Sequence, residues 1–112
     1  MATDAFLLER ITNILTDNKT HWIDKKMFGG NCFMVREKMC FATYRGGLML
    51  KVDTEEIAEL LNRSGANEMI QGGKSLKGYL FIEPEGYDNE EDLEFWIKKS
   101  LDFNKKTTNY KL

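Results

Sequence analysis

The feature that most constrains the fold of this chain is a change of hydrophobic period near residue 30. Before that point, apolar side chains follow the three-and-four spacing that lines one helix face, at Leu7, Ile11, Ile14 and Leu15. Beyond it come three short apolar runs separated by turn residues: NCFMV (31–35), KMCFATY (38–44) and LMLKV (48–52). Such runs are typical of strands in antiparallel hairpins. The pattern therefore predicts a helix followed by a three-stranded antiparallel meander.

Two helices are predicted to flank this meander. The first runs from about Asp4 to Lys19, with Thr3 or Asp4 as its cap. The second begins at the capping-box sequence Asp53–Glu56, in which the cap side chain and the glutamate three residues later satisfy each other's backbone donors. It is expected to end near Gly65, because glycine tolerates the left-handed conformation found at many helix ends.

The second half of the chain predicts two further strands and a final helix. Tyr79–Ile82 is rich in residues that favour strands, and Glu68–Ile70 is a shorter candidate partner strand. Between them, GGKSLKG (72–78) is predicted to be a loop. The final helix is expected to start near Asp88 and to carry an apolar face formed by Leu93, Trp96, Ile97 and Leu101.

These elements predict a single domain over residues 1–112, because a chain of 112 residues has the usual size of one domain. The ordered core is expected at about 4–104, followed by a polar, frayed tail at 105–112. The order is helix, three strands, helix, two strands, helix. Segregated runs of this kind are typical of an α+β fold with helices packed on an antiparallel sheet.

Charge and hydropathy argue against a nucleic-acid-binding protein and against a membrane protein. The formal net charge is −2, whereas bulk electrostatic binding of nucleic acid usually needs a basic surface. Direct nucleic-acid binding is therefore not expected. No apolar stretch approaches the roughly 20 residues of a membrane span, and the first residues do not read as a signal peptide. We expect a cytoplasmic protein that does not enter a membrane.

The reactive side chains do not form a recognisable catalytic or metal-binding pattern. His21, Cys32 and Cys40 lack metal-ligand spacing, and no nucleophile is paired with a base. If a two-residue turn closes the hairpin between the cysteines, strand partners have odd sums of residue numbers, so the two thiols point to opposite faces. We expect free thiols, no cofactor, no metal and no enzyme activity.

Two glycine segments are the candidate ligand or partner contacts. Gly29 and Gly30, with Lys25 and Lys26 nearby, could bring backbone N–H groups close to an anion, although a glycine pair before a strand also marks a tight turn. Gly73 and Lys74 lie in a sequence that imitates the end of a phosphate-binding loop. The full pattern needs a glycine at position 68, which is a glutamate, so nucleotide binding is not predicted.

Several separated pieces of the chain together resemble one family. MFGGNCFMVREKMCFATYRGGLMLKV (27–52), GGKSLKGYLFIEPEG (72–86) and DLEFWIKKSLDF (92–103) are similar to the TfoX N-terminal domain family. The shared pieces are an MFGG element, a hairpin ending near KMC, a strand rich in leucine and methionine, and a final helix with tryptophan. The resemblance implies the same element order and kinship with regulators of DNA transformation, which support transcription of competence genes.

The leading hypothesis is therefore a regulatory module that binds another protein, with transcription machinery as a candidate partner and a homodimer as a further option. Methionines on the second face of the sheet would make an adaptable contact surface. The alternatives are a direct DNA-binding protein and a small-ligand-binding domain that uses the Gly29-Gly30 region.

Overall fold

A computed structural model describes residues 5–27 and 29–109 of the chain. The helices are α1 (Ala5–Asp17), the short α2 (Ile57–Leu60) and α3 (Glu90–Asn109). The strands are β1 (Ile23–Met27), β2 (Gly30–Val35), β3 (Lys38–Tyr44), β4 (Gly47–Lys51), β5 (Ala66–Gln71) and β6 (Lys74–Ile82). They form one antiparallel sheet in the order β1-β2-β3-β4-β6-β5. The α+β class and the central meander are confirmed, whereas the predicted number of strands is too low.

The missing strand is β1, which pairs with β2 and forms one edge of the sheet. Its sequence, IDKKM, lacks an apolar run, and all five of its residues are exposed. An edge strand with neither face under a helix carries no burial pattern that sequence reasoning could detect. The resulting sheet has six strands instead of the predicted five.

The segment at 72–78 was predicted to be a loop, and this prediction is wrong for most of its length. Only Gly72 and Gly73 form the turn, with φ of 60° and 79°, and β6 already begins at Lys74. Two successive residues with positive φ suit a two-residue hairpin turn, because that backbone twist matches the twist of the paired strands. The first half of β6 is polar and largely exposed, so it lacks the apolar alternation that would predict a strand from the sequence.

The first helix agrees with prediction except at its ends. The predicted cap at Thr3 or Asp4 lies outside the described residues. The second helix is much shorter than predicted: a 3-10 turn at Thr54–Glu56 leads into α2, and after Leu60 the chain continues in tight turns instead of a helix to Gly65. After the meander, Asp53 does cap the next turn, since its Oδ1 accepts a hydrogen bond from the Glu55 N–H at 3.0 Å. The reciprocal half of the capping box is replaced, because the Glu56 carboxylate instead accepts a hydrogen bond from Lys99 Nζ at 2.7 Å.

The final helix is longer than predicted. A frayed tail was expected from residue 105, but α3 continues to Asn109. Asn104 explains part of the difference, since this buried side chain donates from Nδ2 to the Val35 carbonyl at 2.9 Å and accepts from Arg36 Nη1 at 3.0 Å. Lys106 Nζ adds an ion pair with Asp53 at 2.8 Å. These long-range contacts stabilise the end of α3, although the polar composition of this segment predicts a frayed end.

The main core lies between the helices and one face of the sheet. Trp96 is fully buried there, as predicted, and its Nε1–H donates to the Gly86 carbonyl at 3.0 Å. That hydrogen bond removes the cost of burying the indole N–H. Other fully buried members of this core are Ile11, Leu15, Phe33, Phe41, Leu48, Leu50, Leu80, Ile82, Leu93 and Ile97.

Candidate functional site

The candidate site is the face of the sheet that points away from the helices, which we call the open face. Among the described residues, its hydrophobic cluster contains strand and hairpin residues and no helix residue. Every methionine of the described ranges lies on this face: Met27, Met34, Met39, Met49 and Met69. Met27 belongs to it because side chains two residues apart share a face, and Lys25 is paired with Cys32 of the cluster.

The open face covers its own centre. Cys32, Ala42, Met49 and Met69 are each less than 5% exposed although no described helix packs on them. The longer side chains around them are partly buried and form the cover: Met34, Met39, Tyr44, Leu76, Tyr79 and Phe81. Flexible thioether chains fill an irregular surface of this kind at little cost in strain. The face is therefore apolar and largely self-covered, and no described helix packs on it.

Aromatic rings belong to this cluster, and cations lie beside two of them. Tyr44 and Phe81 meet edge to face with ring centroids 6.2 Å apart. The Arg45 guanidinium carbon lies 5.3 Å from the centre of the Tyr44 ring, and Lys51 Nζ lies 6.0 Å from that of Tyr79. An apolar centre with aromatic rings and a charged rim is the composition found at protein interfaces.

The residues named as candidate contacts from the sequence lie in two separate places. Lys25 and Lys26 are on β1, and Gly29 and Gly30 connect it to β2 at one edge of the sheet. Gly73 and Lys74 belong to the β5–β6 hairpin, and β5 is the opposite edge. These residues do not form one site. Each group contributes one side chain to the open face: Lys25 is paired with Cys32, and Lys74 lies two residues before Leu76 in β6.

The glycine pair has a structural explanation in this fold. Gly29 has φ of 75°, which a residue with a side chain adopts only with strain. A Cβ at Gly30 would lie 2.4 Å from the Thr43 carbonyl oxygen, so this position needs glycine for the close approach of β2 and β3. The next residue, Asn31, donates its backbone N–H to Thr43 Oγ1 at 2.8 Å. Both glycines thus follow from the backbone alone.

The two cysteines lie on opposite faces, as predicted. Cys32 belongs to the open face and Cys40 to the helix-covered core. The expected register holds beside the turn and then shifts at Cys40, which leaves Cys40 and Phe41 both facing the helices. Burial raises the pKa of the Cys40 thiol to about 12 and also raises the pKa of Cys32. Both are therefore poor nucleophiles at neutral pH.

A cavity of about 10 Å³ lies between β3 and α3, near Cys40 and Ser100, and is far smaller than the several hundred Å³ of a typical ligand pocket. Within residues 5–27 and 29–109, no three side chains of His, Cys, Asp or Glu are grouped to hold a metal ion. None of the helices in these ranges has the length and apolar character to cross a membrane.

Comparison with known proteins identifies the family. No curated protein and no solved structure gives a significant match to the chain. The sequence profile of the TfoX N-terminal domain, however, matches residues 18–104. This range includes all six strands and most of α3, and hence the whole open face. The predicted resemblance is confirmed, and the chain belongs to the TfoX N-terminal domain family.

Proposed function

We propose that this domain is a non-enzymatic regulatory module that binds another protein through the open face of its sheet. The observation that carries the proposal is the concentration of methionines on that face, where no described helix packs. Methionine surfaces adapt to the shape of a partner because the side chain is unbranched and its sulfur is polarisable. The TfoX N-terminal family is not known as an enzyme family, which agrees with a binding role.

Family membership supports a competence-related module in general terms. We extend this to a cytoplasmic role in the transcriptional regulation of competence genes, with a component of the transcription machinery as the partner. The chemistry of the face indicates the kind of surface this partner presents. Arg45 and Lys51 stand beside the rings of Tyr44 and Tyr79, so an apolar patch bordered by carboxylates would match the open face.

Direct binding of single-stranded nucleic acid is the second candidate function. Open sheets that carry aromatic rings and nearby cations can stack bases, and Tyr44 with Arg45 and Tyr79 with Lys51 have that composition. The net charge of −2 opposes it, because several phosphates must be neutralised. Electrophoretic shifts at low and moderate salt separate the two functions. We expect no shift, and tight binding that weakens steeply with salt would favour the nucleic-acid candidate.

Site-specific photo-cross-linking tests the protein-binding proposal. A photoreactive phenylalanine analogue is placed at Tyr44 on the open face and, as a control, at Lys98 on the exposed side of α3. In native cytosol we expect a discrete adduct from position 44 and none from position 98. Equal adducts from both positions, or an adduct from position 98 alone, would show that the open face is not the binding surface.

The small-ligand alternative at Gly29 and Gly30 predicts a different result. An anion held by these backbone groups and by Lys25 or Lys26 would be released when both lysines are replaced by glutamine. Titration of the native domain with inorganic phosphate, followed by amide chemical shifts of residues 29–31, tests this directly. We expect no saturable shift, because Gly30 is explained by its approach to Thr43.

A further inference from the structure

The edge strand β1 is self-complementary, and we infer that two copies of this chain pair through it in an antiparallel, two-fold arrangement. The inference concerns the edge of the sheet and stands whether or not the open face binds a partner. All five residues of β1 are exposed. The strand therefore offers an accessible row of backbone donors and acceptors, which is a template for pairing with another strand.

The hairpin fixes which backbone groups point outward. Met27 and Gly30 are partners on either side of a two-residue connection, so they form the hydrogen-bonded pair next to the turn. Hydrogen-bonded and non-hydrogen-bonded pairs alternate along an antiparallel ladder. Lys25 and Ile23 hence also direct their backbone groups toward β2. Asp24 and Lys26 direct theirs outward, where a second copy can reach them.

The charges then select one register. A two-fold axis through Asp24 would pair this residue with itself, and an axis through Lys26 would do the same for lysine, so both registers oppose like charges. An axis through Lys25 pairs Asp24 of each copy with Lys26 of the other. That register matches the outward backbone groups and forms two cross-strand ion pairs. It is thus favoured by both the hydrogen bonds and the charges.

The same register also covers exposed apolar side chains. Ile23 and Met27 are 62% and 40% exposed, and both lie on the open face. The axis at Lys25 places Ile23 of one copy opposite Met27 of the other, an apolar cross-strand pair. The Asp24 carboxylate is already oriented by Asn31 Nδ2, at 2.9 and 3.2 Å, and retains acceptor sites for a partner lysine.

Pairing would join two six-stranded sheets into one continuous sheet with both open faces on the same side. One unfavourable contact remains, because the two copies of Lys25 face each other at the axis. Two strands of five residues also bury less than the roughly 1,200 Å² of a standard interface. We therefore expect a reversible dimer, with a dissociation constant in about the micromolar to millimolar range.

Charge reversal provides the test, with sedimentation velocity over a concentration series as the readout. Wild type should dimerise, whereas D24K and K26D should each remain monomeric at the same concentrations, because each variant opposes like charges. An equimolar mixture of the two variants should form a heterodimer, since its charges are again complementary. K74D, which makes the same charge change at the opposite end of the sheet, should dimerise as wild type does.

Two further measurements test the pairing of β1 directly. K25Q should tighten the dimer severalfold by removing the like-charge contact at the axis. Amide hydrogen exchange of the wild type should slow at Asp24 and Lys26 as concentration rises, with no change in β5. A wild type that stays monomeric throughout, or single variants that dimerise as well as wild type, would overturn the inference. Loss of cross-linking at Tyr44 would leave it unaffected.

Discussion

Neighbouring residues of β4 show how the two faces of the sheet differ. Leu48 and Leu50 point toward the helices and are fully buried in a core that α1 and α3 help to form. Met49, between them, is 4% exposed, but its neighbours in the second cluster come only from strands and hairpins. One face thus depends on branched and aromatic side chains packed under helices, whereas the other combines methionines and aromatic rings that cover one another. We infer that the first face stabilises the fold and the second is available for binding.

The largest effect should come from the helix-covered face. Trp96→Ala removes a fully buried ring and its hydrogen bond to Gly86, which should lower the free energy of unfolding by about 3–5 kcal/mol. That is a large part of the stability of a small domain. Lys98→Ala, on the exposed side of the same helix, is the control and should change little. Urea midpoints measure both, and a wild-type midpoint for Trp96→Ala would contradict the assignment.

Truncation of the adjacent residues Met49 and Leu50 in β4 compares the packing of the two faces directly. Leu50→Ala should lower the free energy of unfolding by about 3–4 kcal/mol and Met49→Ala by about 2 kcal/mol, within the range known for buried truncations. The difference is expected because side chains around Met49 can relax outward, while those around Leu50 are held beneath helices. Urea denaturation of both variants checks the order. A larger loss for Met49→Ala would mean that the open face is as tightly packed as the core.

Ionisation of Cys40 should have a smaller effect on the free energy of unfolding, and this effect depends on pH. Burial raises the pKa of Cys40 to about 12 from an ordinary value of 9.0, so the folded state keeps this proton while the unfolded state loses it. Stability from this thiol is complete below pH 9 and falls as pH rises toward 12, by about 1.4 kcal/mol per pH unit in the steepest range. Urea midpoints from pH 8 to 10 should fall less steeply for Cys40→Ala than for wild type. Equal slopes would contradict the burial of this thiol.

The smallest effect should come from the ion pair that joins α3 to the start of the α2 region. Lys106 donates a hydrogen bond to Asp53 and thereby lowers the pKa of that carboxyl group. Its stabilising contribution is present above the unfolded pKa of Asp53 and is lost as pH falls. Because the pair is solvent-exposed, Lys106→Ala should leave the urea midpoint at neutral pH nearly unchanged. A clear loss of stability would show that the end of α3 is held mainly by this contact.

The sequence predicts the parts of the fold whose burial repeats with a clear period. The helix around Ile11, the meander and the apolar side of α3 all follow from spacing, and the placement of Trp96 in the core is confirmed. β1 was not predicted because an exposed edge strand lacks the alternation of apolar residues that indicates a strand. The end of α3 was not predicted because it depends on hydrogen bonds of Asn104 with Val35 and Arg36, which are distant in the sequence.

The candidate site was only partly visible in the sequence. The methionines were recognised as a potential contact surface, and Met49 between two leucines in β4 signals a second apolar face. The position of Met69 beside the methionines of the meander was hidden, because it depends on β6 being inserted between β4 and β5. The named glycines gave no site, since backbone geometry accounts for Gly29 and Gly30.

Methyl NMR with the partner captured at Tyr44 tests the division between the two faces most directly. Methionine methyl groups report on the open face through Met39, Met49 and Met69, and isoleucine methyl groups report on the helix-covered core through Ile11 and Ile97. We predict that adding the partner shifts or broadens the methionine signals and leaves the two isoleucine signals in place. Changes at Ile11 and Ile97 without changes at the methionines would contradict the account.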